Sequence, residues 1–316
     1  MNPPRPGIQR PGPLACCHVT TNRRVFLGAA ALGLVAACTP PQPRQLASAE
    51  PTTPAPSPTT TTPPVTTEPT TPAPTTTTPR PTATTGRAAT IAAYRDARPT
   101  AFGLTVPGVV TRMPGPTVAL TFDACGGPGG SGYDHALITT LRELGTPATL
   151  FLNARWIDAN PAAFRDLAAD PLFDIGNHGT RHLPLSVTGR AAYGIAGTRD
   201  VAEAYDEVAA NHTALTQAMG RPPAFFRSGT AHYDDVATRV VADIGERVIG
   251  FDINADSGAR FSPGQVKHAM AGAGPGSIVI AHMNHPGSGT ARGMAHALPD
   301  LLARGLRVGR LRDHLS

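Results

Sequence analysis

His178 and His182 stand four residues apart in Asn177-His178-Gly179-Thr180-Arg181-His182. One helical turn between them would put both imidazoles on one side of a divalent cation. Other ionisable groups close apolar runs of the chain. Asp123 ends 117–123, Arg227 follows Phe225-Phe226, the run 248–253 carries Asp252 and leads into Asn254 and Asp256, and His282 follows 277–281. Imidazoles that hold a cation, a carboxylate that takes a proton and an imidazole that gives one are the parts of a metal-assisted hydrolysis. Taken singly, each has a plainer reading. The His spacing arises by chance, Asp123 fits a turn or a cap, and His282 fits a structural role. The placement of five such groups at the ends of apolar runs is the stronger signal, because burying an ionisable group without a partner is costly.

The frame that would bring these groups together is an alternation of strand and helix. Strands are expected at 117–123, 148–152, 173–177, 225–226, 248–253, 277–281 and 306–311. Asp134 caps a helix to about Leu144, Asn160-Pro161 opens another, and Thr198 opens a long amphipathic one that Gly220 stops. Helices also follow from Tyr233 to about Asp243, after the Ser262-Pro263 cap, and over 290–303 before a stop at Gly305. Such alternation implies a parallel sheet, and its length favours an incomplete, distorted (β/α) barrel of about seven strands in the α/β class. Chemistry then belongs at the C-terminal ends of the strands.

At these residues the chain resembles the polysaccharide deacetylases, carbohydrate esterase family 4, over about 117–311. The family's Thr-Phe-Asp-Asp-Gly motif corresponds to Thr121-Phe122-Asp123-Ala124-Cys125-Gly126, and its His-x-x-x-His to His178 and His182. Its Arg motif corresponds to Arg227, its Asp-x-x-Asp-Trp is echoed by Asn254-Ala255-Asp256, and its Leu-x-His by Ile280-Ala281-His282. The resemblance implies a distorted barrel that removes acetyl groups from a polysaccharide with a divalent metal, usually zinc. It implies that His178 and His182 hold the metal and that Asp123 is the base toward the attacking water. By the same resemblance His282 is the acid for the leaving group, Arg227 orients Asp123, and Asp256 holds and tunes His282.

One position departs from the family. Ala124 replaces the second Asp, normally the third ligand, and cannot bind a metal. Asp123, Cys125, Asp134 and His232 are candidate substitutes, although Cys125 reads first as small filler beside a Gly-rich loop. Water in the third position, or a catalytically impaired glycan-binding protein, are the other outcomes. Gly127-Pro128-Gly129-Gly130-Ser131-Gly132 formally fits a dinucleotide fingerprint, but 148–153 offers no acid at the next strand end. No G-x-S-x-G is present for a serine hydrolase.

The remainder of the chain reads as delivery. Residues 1–38 resemble a twin-arginine signal (Arg23-Arg24-Val25-Phe26-Leu27) closed by a lipobox, Val35-Ala36-Ala37-Cys38, with Cys38 the lipidated residue. Residues 39–88 hold 18 Thr and 14 Pro, too little apolar surface for a core, and form a tether. The whole chain carries net charge +5. All of it precedes residue 89, and 89–316 holds 20 basic and 20 acidic residues. A basic nucleic-acid-binding domain is thereby excluded. The expectation is an exported, monomeric, lipid-anchored enzyme on the outer face of the cell membrane. Its 89–316 domain would reach into the wall toward peptidoglycan or a chitin-like polymer.

Overall fold

Every residue of Thr117–Ala124 is buried. A strand covered on both faces must be apolar throughout, and this one lies mid-sheet. The computed structural model describes residues 86–315. The signal, the lipobox and nearly all of the Thr/Pro tether lie outside the described residues.

In chain order the elements are α1 (Arg87–Tyr94), β1 (Phe102–Gly103), β2 (Val109–Val110), β3 (Thr117–Ala124), α2 (His135–Glu143), β4 (Ala148–Leu152), α3 (Ala154–Ala159), α4 (Pro161–Ala169), β5 (Phe173–Asn177), α5 (Val201–Met219), β6 (Phe225–Phe226), β7 (Tyr233–Asp234), α6 (Ala237–Ile244), β8 (Arg247–Ile249), β9 (Ile253–Asn254), α7 (Pro263–Ala271), β10 (Ile278–His282), α8 (Thr290–Ala303) and β11 (Arg307–Gly309). The main sheet runs β2-β8-β6-β5-β4-β3-β10-β9, and β11 also pairs with β3. All its pairings are parallel. With its helices it forms the curled, incomplete (β/α) barrel expected.

Alternation along each strand separates two environments. On β3, Val118, Leu120, Phe122 and Ala124 join the core beneath the helices, whereas Ala119 belongs to the cluster inside the barrel. On β10, Val279 and Ala281 face the helices and Ile278 faces inward. On β6, Phe225 is inward and Phe226 outward. The inner cluster of Phe151, Phe225, Ile249, Ile278, Leu311 and Leu315 therefore fills the barrel interior. Continuing the inward register toward the C-terminal ends leads to Asp123, Arg227 and His282.

The structure differs from the sequence expectation in several elements, beginning with α1, β1 and β2, which were not expected. The single strand expected at 248–253 divides at Gly250, and together with β2, which was not expected, this gives the sheet nine strands. Gly250 N–H bonds Val110 O, while Asp252 N–H bonds Ile278 O, so the chain leaves one side of the barrel and joins the other. The helix expected from Tyr233 begins at Ala237, because Tyr233–Asp234 pairs antiparallel with Phe102–Gly103 and Asp234 Oδ1 takes the Ala237 N–H. The long helix starts after Asp200, whose side chain accepts from Glu203 N–H. Thr198 is occupied with Ser186, both accepting from its N–H and donating to its carbonyl. Short helix α3, capped by Asn153, has no counterpart in the sequence reading.

The cap of α2 is as expected, with Asp134 Oδ1 accepting from Leu137 N–H at 3.1 Å. Asp134→Ala should cost about 0.5–2 kcal/mol, the usual value of a lost N-cap, read as a lower midpoint of thermal unfolding.

Candidate active site

Arg227 and Asp123 meet inside the barrel as a buried ion pair, Nη1 to Oδ1 at 2.8 Å, with side chains 0% and 4% exposed. Taking two charges out of water costs several kcal/mol per ion unless other bonds compensate. Here they do. Nη1 also donates to Thr121 Oγ1 at 2.8 Å, Nη2 to Gly250 O at 2.9 Å and Nε to Ile249 O at 3.2 Å. The guanidinium face lies 4.3 Å from the Phe151 ring centroid. Burial alone would raise the Asp123 pKa, but Arg227, His178 and His282 outweigh it and hold the carboxyl below its ordinary value. Asp123 is thus ionised, with Oδ2 facing His178 Nε2 at 3.7 Å.

His178 leaves the end of β5 buried, with Nδ1 2.9 Å from Arg227 O. A carbonyl can only accept, so Nδ1 carries the proton and Nε2 is the nitrogen left for the pocket. His182 reaches the same place, its ring centroid 5.1 Å from that of His178 and the planes 82° apart. The route is not the helical turn expected from the spacing. The segment is a loop, with Gly179 at φ 77° and His182 itself at φ 67°. Gly229 is needed opposite, because a Cβ there would stand 2.4 Å from His182 atoms. His182 Nε2 is buried and has no hydrogen-bond partner.

His282 sits beside Asp123 as its register partner on β10. Its Nδ1 is 2.9 Å from Asp256 Oδ1, and its N–H donates to Asp256 Oδ2 at 2.7 Å. Thr290 Oγ1 also donates to Asp256 Oδ2. The imidazole is 15% exposed and the carboxylate 0%, so His282 is the member of the pair that a ligand can reach. Burial opposes charge on His282, but Asp256 and Cys125 outweigh it and raise its pKa well above the ordinary imidazole value. All six residues expected at the site therefore come together: Asp123, His178, His182, Arg227, Asp256 and His282.

Among the other candidates for a third ligand, the structure separates one. Cys125, His178 and His182 offer atoms that all lie within 4.8 Å of one another. Cys125 Sγ is 3.8 Å from His178 Nε2. Cys125, read first as small filler, thus stands beside the histidines: residue 125 continues the inward register of Asp123, one step past the outward Ala124. Asp134 is used as a helix cap. His232 bonds Thr230 O through Nδ1 and packs against the rings of Phe102 and Tyr193. The donor set suits a divalent cation. It offers His182 Nε2, which has no hydrogen-bond partner, and His178 Nε2, which faces Asp123 Oδ2 and Cys125 Sγ, and Asp123 and Cys125 raise the His178 pKa against its burial, so the pocket favours positive charge.

Residues 111–249 match the family model described as polysaccharide deacetylase. That segment, within the folded part, matches the polysaccharide deacetylase family. Its fold is similar to that of a carbohydrate esterase family 4 pseudoenzyme from Bacillus anthracis (TM-score 0.56, 20% identity, covering 67% of this chain and 70% of that chain). It is also similar to PdaA, a family 4 carbohydrate esterase from Bacillus subtilis (TM-score 0.54, 18% identity, 66% and 85% covered). A peptidoglycan N-acetylglucosamine deacetylase is similar as well (TM-score 0.52, 20% identity, 63% and 87% covered). At these identities the likeness is one of fold.

The site also uses residues that the sequence reading passed over. Glu207, 1% exposed on α5, accepts from the backbone N–H groups of Thr180, Arg181 and Leu183. It thereby fixes the loop between the two histidines. Asn177, the last residue of β5, takes the Gly179 N–H and Asn211 Nδ2 on Oδ1 and gives Nδ2 to Glu246. Asn153 Nδ2 holds the His178 carbonyl. The available signal was weak: a Glu and an Asn on faces of α5 that the amphipathic pattern reserves for apolar residues. Glu207→Ala should leave three loop N–H groups without their acceptor. A destabilisation of about 1–3 kcal/mol is expected, read by denaturant midpoint, with faster amide exchange at Thr180 and Arg181.

Proposed function

We propose that this domain hydrolyses acetyl groups, N-acetyl foremost, of a cell-wall polysaccharide such as peptidoglycan, with chitin-like polymers the neighbouring choice. The reading rests on one observation: two ion-paired acid/base groups, Asp123 with Arg227 and His282 with Asp256, flank one pair of imidazoles at the C-terminal ends of adjacent strands. His178 and His182 would hold a divalent cation, zinc by preference. Such a cation, when bound, lowers the pKa of water toward about 7 and polarises a carbonyl.

The side chains divide the remaining work. Asp123, kept ionised by Arg227, accepts the proton of the attacking water at Oδ2, since Oδ1 is engaged. His282 carries its proton at neutral pH and delivers it from Nε2 to the departing nitrogen, because an amine cannot leave as its anion. Asp256 fixes the ring by holding Nδ1. The opposed shifts of Asp123 and His282 set one as base and the other as acid.

A glycan-binding wall protein without turnover is the second reading. It is favoured by Ala124 and by the fold likeness to a pseudoenzyme. Release of acetate from N-acetylglucosamine polymers separates the two. The wild-type domain should release it, and Asp123→Asn should slow release at least about 10²-fold, the lower range for a lost general base. No release by the wild type from N- or O-acetylated polymers would sink the enzyme reading. The proposal extends to the leader and tether: export, a lipid at Cys38, and 39–88 as the spacer to the wall. Among the described residues no helix is long and apolar enough to cross a membrane.

The proton on His282 has a pH signature. Its raised pKa means that the charged form is kept through neutral pH and lost only as pH rises past that value. Asp256→Asn removes the largest charge that favours it, so the alkaline limb of kcat/KM should move to lower pH. An unmoved limb would show that His282 is not the acid.

A further inference from the structure

We infer that Cys125 Sγ is the third protein ligand of the cation site, which makes it a two-histidine, one-thiolate set. The inference rests on the metal-dependent reading above and concerns a different question, namely which atom replaces the missing carboxylate. Three observations converge on it. Ala124 is wholly buried in the core beneath the helices, together with Val118, Leu120 and Phe122, and is on the outward register of β3. The next inward position after Asp123 is 125, so the donor has moved one residue along the chain and onto the pocket side. Cys125 then lies with His178 and His182 in the one three-donor cluster found among the described residues, atoms within 4.8 Å. Finally, His182, a member of that cluster, has its Nε2 buried with no hydrogen-bond partner, so the nitrogen is left to bind a cation.

The chemistry of the exchange is consistent. A thiolate brings the same single negative charge as the carboxylate that Ala124 removes. It is a softer donor, and with two imidazoles it suits zinc or cobalt(II) and disfavours magnesium or calcium. Three protein ligands leave a fourth position open, the arrangement of catalytic rather than structural zinc sites. The pocket is closed around Cys125 by Gly126, whose Cβ would stand 2.5 Å from Trp156 N, so the turn after β3 is held against the start of α3. The thiol accordingly has a fixed place.

The test uses the full-length protein loaded with zinc or with cobalt(II) alone. X-ray absorption of the zinc form should show one sulfur at about 2.3 Å beside nitrogen and oxygen donors. The cobalt form should show a sulfur-to-metal charge-transfer band in the near ultraviolet. In Cys125→Ser that band should vanish and metal affinity should fall by at least about 100-fold, more than the loss of an outer-shell partner usually costs. A zinc spectrum with nitrogen and oxygen donors only overturns the inference, and it does so without any variant. Full cobalt absorbance in Cys125→Ser overturns it as well. If metal binds through nitrogen and oxygen while acetate is still released, this inference fails and the deacetylase reading stands. If neither metal binds in equilibrium dialysis, both the inference and the metal-dependent reading fail.

Discussion

The buried pair of Arg227 and Asp123 is the contact on which the rest of the barrel mouth depends. It joins β6 to β3 across the interior, and every polar atom around it is arranged to make it tolerable there. The guanidinium has one carboxylate, one hydroxyl, two carbonyls and an aromatic face as neighbours. Removing one member of such a pair typically costs about 3–5 kcal/mol, because the other charge is stranded. The same contact keeps Asp123 ionised and leaves one of its oxygens free. A structural requirement and a chemical one are met by one arrangement of atoms.

Much of this was legible in the sequence, for a physical reason. Strands β4, β5 and β6 have the expected bounds because buried parallel strands are short apolar runs between breakers. The residues that meet at the barrel mouth could be picked out because they stand where such runs end. What misled was local geometry. His178 and His182 are neighbours as expected, but through a left-handed residue and a glycine rather than a helical turn. Spacing reports proximity here and not conformation. The break at Gly250 was invisible because both flanking pieces are equally apolar, and only their partners in the sheet differ. Glu207 and Asn211 escaped notice because a buried polar residue on a helix looks like a surface one until its backbone partners are known.

Position 124 shows how alternation in a strand governs what a substitution means. An Asp-to-Ala change in a motif reads as the loss of a ligand. In the structure Ala124 packs with Leu120 and Phe122 against the helices, while Cys125 next to it faces the histidines. The half-buried Cys125 thiol lies among three imidazoles, which hold its pKa well below the ordinary thiol value against its burial. The family resemblance and the departure from it are therefore both consequences of one strand and its period of two.

The crossing at Gly250 carries a further implication. The strip from Ile249 to Asp252 bridges the two sides of an unfinished cylinder, and Arg227 grips two of its carbonyls while also holding Asp123. Seam and reaction centre thus share one rivet. A displacement of that strip would act on the Asp123 carboxylate through a single side chain.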